Sequence, residues 1–174
     1  SYSDLNTAYT ANTAGTISGL GNEAVTLSDI TLSASNLNTL NGLTSGVVNA
    51  ETVTTLTGTA EDVNTSYAAN AAGTISGLGN EAVTLSDTSL AATVLNTLNG
   101  NTTEVVNAGS VTILTGSYSV LNTAYTANTA GTISGLGNEA VTLSDISLSA
   151  TDLNTLNGLT SGVVNAETVT TLTG

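Results

Sequence analysis

The chain contains no Lys, Arg, His, Cys, Met, Trp, Phe or Pro, and its 13 carboxylates give a formal net charge of −13. A Ser or Thr nucleophile needs a neighbouring base such as His or Lys to take its proton. Binding of phosphate groups or nucleic acid needs cationic side chains. The sequence therefore predicts no enzymatic activity, no small-molecule substrate and no binding to nucleic acid.

The missing residue types also limit metal and membrane chemistry. Without Cys the chain has no disulfides and no thiolate metal sites, and without His it lacks the commonest transition-metal ligand. Only cations that prefer oxygen ligands, such as calcium, remain as candidates. No apolar run approaches the roughly 18 residues of a membrane span, so no membrane insertion is expected.

What is present is an aliphatic and hydroxyl-rich composition. Hydrophobic residues make up 40% of the chain, five Tyr are its only aromatics, and charged residues make up only 7%. This apolar content is enough for an ordered core, in contrast to the composition of disordered chains. We expect a surface made mainly of Ser, Thr, Asn and Gly.

One block of sequence is written three times and accounts for the whole length of 174 residues. The segment at residues 16–29 recurs unchanged at residues 74–87 and 132–145. Repeats with a period of tens of residues are typical of stacked architectures, in which each unit buries its apolar side against the next. The sequence therefore predicts one continuous solenoid of three repeats, at residues 1–58, 59–116 and 117–174.

The two ends of the chain match each other in sequence. Thr173 and Gly174 followed by Ser1 and Tyr2 would recreate the sequence of residues 115–118. Neither end has the atypical polar repeat that caps a solenoid in water. We therefore expect a section of a longer array or of a filament, in which the chain associates with itself head to tail or laterally.

Each block splits into two related halves, for example residues 23–50 and 51–80, so the predicted unit is a coil of about 29 residues. Short segments rich in β-branched residues begin each half, at residues 25–27 and 53–56, and are typical of strands. Second strands are predicted at residues 47–48 and 75–78. If the strands of successive coils pair in parallel at about 4.8 Å, six coils form a rod about 29 Å long.

Each coil is also predicted to contain one short helix. A hydroxyl residue three positions before an acidic residue, as in Ser1 and Asp4, favours a helix start, and the pattern recurs at Thr59 and Ser149. Apolar residues at helical spacing follow. The pairs Asn41-Gly42, Asn99-Gly100 and Asn157-Gly158 tolerate the left-handed conformation and are predicted to end the helices.

The predicted fold is therefore a repeat solenoid of the α/β type. It has about six stacked coils, two per repeat, each with short parallel strands and one short helix. The alternative is an all-β solenoid, in which the Leu-Asn-Thr segments are loops or strands.

One Asn per coil occupies an equivalent place within a Leu-Asn-Thr or Val-Asn-Thr segment. A side-chain amide both donates and accepts, so these residues could bond their neighbours along the stack or satisfy buried backbone groups. We predict that they form a structural ladder, and a recognition stripe is the alternative. The six residues are Asn6, Asn38, Asn64, Asn96, Asn122 and Asn154.

Two series of carboxylates also recur at equivalent places. Stacked carboxylates repel by about 1 kcal/mol or less per pair when solvated, and bound cations would relieve that repulsion. They are therefore candidates for calcium, although no Asp-x-Asp-x-Asp loop occurs. The alternative is that they are solvated and keep the surface soluble. The candidates are Glu23, Asp29, Glu81, Asp87, Glu139 and Asp145.

The whole chain resembles the long tandem arrays of very large acidic secreted surface proteins of bacteria, especially cyanobacteria. The resemblance is carried by the Leu-Asn-Thr-Leu-Asn-Gly, Val-Val-Asn-Ala and Thr-Leu-Thr-Gly-Thr-Ala-Glu-Asp-Val-Asn-Thr runs. It implies an extracellular scaffold or adhesin stalk at the cell surface and no catalytic residues. The alternative function is a binding module for ice, a mineral surface or calcium-dependent adhesion, since Thr-rich strands could present regular hydroxyl rows.

Overall fold

The structure, a computed structural model, describes all residues from 1 to 174 and has an α/β architecture, not an all-β one. Short helices alternate with short strands along the whole chain. The helices are α1 (Tyr2–Thr13), α2 (Ala34–Leu43), α3 (Ala60–Ala71), α4 (Ala92–Asn99), α5 (Tyr118–Ala130) and α6 (Ala150–Asn157). The strands are β1 (Val25–Thr26), β2 (Thr31–Ser33), β3 (Val48–Asn49), β4 (Thr55–Gly58), β5 (Ile75–Ser76), β6 (Ala82–Leu85), β7 (Ser89–Ala91), β8 (Val106–Asn107), β9 (Ile113–Gly116), β10 (Ile133–Ser134), β11 (Ala140–Leu143), β12 (Ser147–Ser149), β13 (Val164–Asn165) and β14 (Thr171–Thr173).

Three of the six helices begin where their capping residues predict. Ser1 forms a capping box with Asp4 at the start of α1. The side chains of Thr59 and Ser149 accept the backbone N–H three residues later, at the starts of α3 and α6. Each cap satisfies one of the N–H groups that have no partner within the helix.

The Asn-Gly pairs do not act as the predicted left-handed stops. α4 and α6 do end before Gly100 and Gly158, but these glycines have right-handed φ angles of −78° and −80°. α2 continues through Gly42. The N–H of Gly100 donates to two carbonyls of the last turn of α4. These bonds satisfy the carbonyls at the helix end, so no left-handed residue is needed there.

All ten strand pairings are parallel, which confirms the prediction for strand direction. They form four open sheets, in the orders β1-β3-β5, β2-β4-β6-β8-β10, β7-β9-β11-β13 and β12-β14. Every pairing joins a strand to the strand after next along the chain, as in the pairs Val25–Val48, Leu32–Leu56 and Leu56–Val83.

The sequence offsets between strand partners are shorter than the predicted coil of about 29 residues. Helix starts do recur at about that average spacing, at Ala34, Ala60 and Ala92. Strand partners are separated by fewer residues than successive helix starts are on average. As a result, positions one full repeat apart, such as Val25 and Val83, lie in different sheets. Three sheets begin at strands that directly precede a helix, namely β2, β7 and β12, and the sequence pattern did not predict these strands.

One core runs through the molecule and contains 33 buried hydrophobic residues. α2 contributes Ala34, Leu37 and Leu40 from one face, at helical spacing. The strands contribute residues such as Val48 and Leu56, which are fully buried. Each helix packs against the next one along the chain, so the core is built from contacts between successive strand and helix units.

Candidate functional site

A network of buried polar side chains, which we call the tyrosine–glutamate network, recurs once in each repeat. A tyrosine on a long helix donates its hydroxyl to the carboxylate of a glutamate 14 residues later. The Oη–Oε2 distance is 2.9 Å for Tyr67 and Glu81 and 3.2 Å for Tyr9 and Glu23. The three pairs are Tyr9–Glu23, Tyr67–Glu81 and Tyr125–Glu139.

Backbone groups complete each network. The carboxylate of Glu81 also accepts the N–H of Gly79 at 2.9 Å. The backbone carbonyl of Glu81 accepts the hydroxyl of Thr102 at 2.6 Å. Thr102 lies 21 residues further along the chain, in the turn before β8. The network therefore ties a helix, the loop that follows it and the turn of the next unit to one another.

Two of the three carboxylates are buried without any cation. Glu81 is 0% exposed and Glu139 is 1% exposed, and the chain has no Lys, Arg or His. A buried charge is costly unless hydrogen bonds compensate for its lost hydration. Here the tyrosine hydroxyl and the glycine N–H supply charge-assisted bonds. Burial overturns the interpretation that these glutamates are solvated surface charges.

The network shifts the pKa values of Glu23, Tyr67 and Tyr125. The N–H of Gly21, donated to the carboxylate, lowers the pKa of Glu23. Burial raises the pKa of the Tyr67 hydroxyl, and the neighbouring charge of Glu81 raises it further. Burial likewise raises the pKa of Tyr125, together with its hydrogen bond to Glu139. The neutral phenol is therefore the form that the fold favours.

We expect alkaline pH to destabilise the fold through Tyr67 and Tyr125. Both pKa values are raised above the ordinary value of 10.0, so their contribution to stability is complete below that pH. It is lost as pH rises further, because the unfolded chain then ionises while the folded chain resists ionisation. Urea unfolding followed by circular dichroism should show a steep fall in midpoint between about pH 10 and about pH 12.

The matched control is the double variant Tyr67→Phe/Tyr125→Phe. It should be less stable at neutral pH, because two buried carboxylates lose a donor, but its midpoint should fall less steeply above pH 10. An equal fall in both proteins would show that the buried phenols are not responsible.

The three candidate aspartates cap helices from a distance in sequence. The carboxylate of Asp29 accepts the N–H of Tyr2, at the first turn of α1, at 2.7 Å. Asp87 and Asp145 accept the corresponding N–H groups at the starts of α3 and α5, at 2.8 and 2.7 Å. Each aspartate lies 27 residues beyond the N–H that it accepts. A negative charge at a helix N-terminus is stabilising, so these aspartates hold successive units together.

The six calcium candidates are therefore engaged by donors of the protein itself. The glutamates accept tyrosine and glycine donors, and the aspartates accept helix N–H groups. No group of three or more acidic side chains comes together in the structure. Calcium binding stays a prediction.

Two asparagines of the predicted ladder link neighbouring helices. The Nδ2 of Asn38 on α2 donates to the carbonyl of Asp62 on α3 at 2.9 Å, and its Oδ1 accepts the hydroxyl of Ser66 at 2.7 Å. Asn96 on α4 makes the same bond to the carbonyl of Val120 on α5, at 2.9 Å. These amides satisfy backbone groups of the next helix and do not bond to one another.

The other asparagines of the series differ from this pattern. The Oδ1 of Asn96 is buried without a partner, because Ala124 stands where the preceding repeat has Ser66. Asn64 accepts from the amide of Asn101 at 3.0 Å. Asn6, Asn122 and Asn154 form no bond to the next helix. Asn154 lies on the last helix and is exposed.

A second asparagine series was missed at the sequence level. The amide of Asn12 both accepts from the N–H of Leu20 and donates to its carbonyl, at 3.1 and 3.3 Å. Asn70 and Asn128 make the same pair of bonds to the leucine eight positions further on. These asparagines and the network tyrosines keep one place in all three repeats, and that invariance is the signal that could have identified them.

The outward positions of the strands form mixed polar rows. One row runs across the five-stranded sheet and carries one residue from each strand. It is made of Ser33, Thr57, Thr84, Asn107 and Ser134. Hydroxyl and amide side chains share it, so it is not a pure threonine row. Binding to ice or a mineral surface stays a prediction.

The structure contains no pocket, and none of its helices combines the length and hydrophobicity needed to cross a bilayer. Comparisons with protein-family models, with curated proteins and with solved structures found no match to this chain.

Proposed function

We propose that the chain is a rigid segment of an extracellular scaffold, such as a surface fibre, filament, sheath or adhesin stalk. In this proposal its repeats form one α/β solenoid of about six coils, and function depends on end-to-end continuation of the stack. The observation that carries the proposal is that each repeat pairs its strands with those of the next repeat in the same register.

The strand registers support this continuity. Val48 pairs with Ile75, and Val106 pairs with Ile133, one repeat later in the same way. The pair formed by Leu56 and Val83 also recurs one repeat later. Units that repeat the same nearest-neighbour contacts can be added in any number without new interactions.

Exposure at the two ends of the stack supports it as well. Leu172 is 56% exposed, whereas Leu56, within the same Thr-Leu-Thr-Gly sequence, is 0% exposed. Ile17 is 41% exposed, whereas Ile75 is 0% exposed, again within an identical sequence. Inside the chain a strand of the neighbouring unit covers these positions, as expected for a stack that can be extended.

The composition suits an exposed extracellular location. Without Lys or Arg the chain has no cleavage site for trypsin-like proteases. Its carboxylates give a net charge that opposes nonspecific aggregation. The resemblance to acidic secreted surface arrays supports the same location.

Chains of three, six and nine repeats test the proposal. The length measured by electron microscopy or small-angle X-ray scattering should increase by about 10 Å per repeat, since two coils are stacked at strand spacing. The cross-section should stay constant. A radius of gyration that instead grows as about the 0.38 power of residue number, as for compact globules, would contradict a rod.

A further inference from the structure

We propose that the two ends of the stack bind each other between copies of the chain, in one fixed register. The trailing face consists of α6, β13 and β14, and the leading face consists of α1, residues 16–18 and β1. In this register Val164 pairs with Ile17 of a second copy, and Leu172 pairs with Val25 of that copy. The inference rests on the proposed function and specifies the partner and geometry of its end-to-end contact.

The first strand of the interface follows from the internal pairing. Val48 pairs with Ile75, and Val106 pairs with Ile133 at the same offset in sequence. Val164 occupies the same place in the third repeat and has no such partner.

The missing partner of Val164 is found by continuing the repeat across the chain end. The same offset leads past Gly174 to Ile17 of a second copy, which occupies the place of Ile75 and Ile133. Residues 16–18 have the sequence of residues 74–76, which include β5, yet they form no strand. The absence of a neighbouring strand explains this difference.

The second strand is consistent with the same register. Leu56 pairs with Val83, and Leu114 pairs with Val141, again at a constant offset. Leu172 is the next member of this series, and its counterpart is Val25 of a second copy. Leu56 and Leu114 are both 0% exposed, so pairing would bury Leu172, which is now the most exposed leucine of the series.

The helices agree with the strands. Asn38 and Asn96 each bond to a backbone carbonyl 24 residues later, on the next helix. Asn154 is exposed on α6 and makes no such bond. Counting 24 residues on from Asn154 leads to the carbonyl of Asp4 on α1 of a second copy. Asp4 occupies the same place in the first repeat as Asp62 does in the second.

Gly19 directly follows residues 16–18 of the leading face, and its backbone has the conformation that the equivalent Gly77 adopts beside a close neighbour. Gly77 has a φ of 88°, and a Cβ there would lie 2.7 Å from the backbone nitrogen of Glu51 in the preceding unit. Gly19 has the same left-handed backbone, with a φ of 93°, but has nothing within 4 Å. In the proposed register, Glu167 of the other copy fills that space, because it occupies the place of Glu51.

A second copy is the partner that these observations favour. The interface is continuous with the one between successive units inside the chain, and another copy carries the required sequence at every matching position. Each copy carries a net charge of −13, so mutual repulsion opposes association at low salt. We therefore expect association to strengthen as salt increases, because screening weakens this repulsion.

Single-cysteine variants of the 174-residue chain test the register, since the chain has no cysteine of its own. Asn165→Cys and Ser18→Cys proteins are mixed and oxidised at high salt. Adjacent Cα atoms of paired parallel strands are about 4.8 Å apart, within the range of a disulfide. We expect a disulfide-linked dimer between the two proteins, several-fold above the dimers that each variant forms alone.

Two controls make the result decisive. The double variant Asn49→Cys/Ser76→Cys places cysteines at the equivalent internal register pair and should close within one chain. Asn165→Cys mixed with Thr84→Cys, an exposed position on a central strand, should give only background. If the internal pair closes but Asn165→Cys and Ser18→Cys do not exceed background, the proposed register is overturned. The rod-length test can still succeed in that case, so failure of this interface is distinguishable from failure of the scaffold.

A noncovalent measurement completes the test. Ile17→Asn changes a residue that is already 41% exposed in the single chain, so its melting temperature at low concentration should remain that of the unmodified protein. Sedimentation velocity should show association of the unmodified protein at high salt and a monomer for Ile17→Asn. Association of the variant to the same extent would contradict the proposal.

Discussion

Leu56→Ala should lower the free energy of unfolding by about 2–5 kcal/mol, whereas Leu172→Ala should change it by only about 0.5 kcal/mol. Both leucines stand in the sequence Thr-Leu-Thr-Gly. Leu56 is fully buried between Leu32 and Val83 on the neighbouring strands, whereas Leu172 is 56% exposed on the last strand. Truncating Leu56 removes buried methyl groups and leaves a cavity.

The comparison is made by urea or thermal unfolding at a protein concentration low enough to keep the chain monomeric. Because the two substitutions and their local sequences are the same, any intrinsic preference of the strand cancels. Equal losses of unfolding free energy at both sites would show that Leu56 is not buried between Leu32 and Val83.

Gly77→Ala is expected to lower the free energy of unfolding by about 2–5 kcal/mol. About 1–2 kcal/mol of this comes from a left-handed backbone at an L residue, and about 1–3 kcal/mol from overlap with its neighbours. Its φ is 88°, and the added Cβ would lie 2.7 Å from the nitrogen and 2.8 Å from the Cα of Glu51. Backbone atoms cannot swing away as the end of a flexible side chain can.

Gly19→Ala is the matched control for this substitution. It has the same residue neighbours in sequence and a φ of 93°, but no atom lies within 4 Å of the added Cβ. Only the backbone contribution of about 1–2 kcal/mol should remain. Chemical denaturation of the two variants measures the difference, and an equal loss would mean that the close approach to Glu51 is absent.

The local signals in the sequence predicted the helices well. A hydroxyl residue followed three positions later by an acidic residue marked the starts of α1, α3 and α6, because a cap involves groups only a few residues apart. One Leu-Asn-Thr or Val-Asn-Thr segment lies on each helix. The all-β alternative required these segments to be loops or strands, so their helical conformation excludes it.

Features that depend on distant partners were predicted poorly. β2, β7 and β12 are very short, and they are strands because β4, β9 and β14 lie beside them. The offsets between strand partners, such as Val25 with Val48 or Val48 with Ile75, could not be obtained from the period of the repeat. The repeat determines how often a unit recurs, but the path of the chain around the core determines which residues pair.

The candidate site shows the same division. The recurrence of Glu81 and Asp87 in each repeat was evident, but both were interpreted as possible calcium ligands or solvated charges. In the structure Glu81 lies buried against the Tyr67 hydroxyl, and Asp87 caps α3 from 27 residues away. A carboxylate has the same sequence signature in either role, so only the groups brought beside it by folding distinguish them.

By itself, the sequence determined the repeat, the starts of α1, α3 and α6, and the lack of any cationic side chain to pair with the carboxylates. These follow from composition and from interactions between residues near one another in the chain. Tertiary structure alone decided burial, register and the role of each acid. Leu56 and Leu172 have identical local sequences and opposite exposures, because burial depends on whether a neighbouring strand from a distant part of the chain covers the side chain.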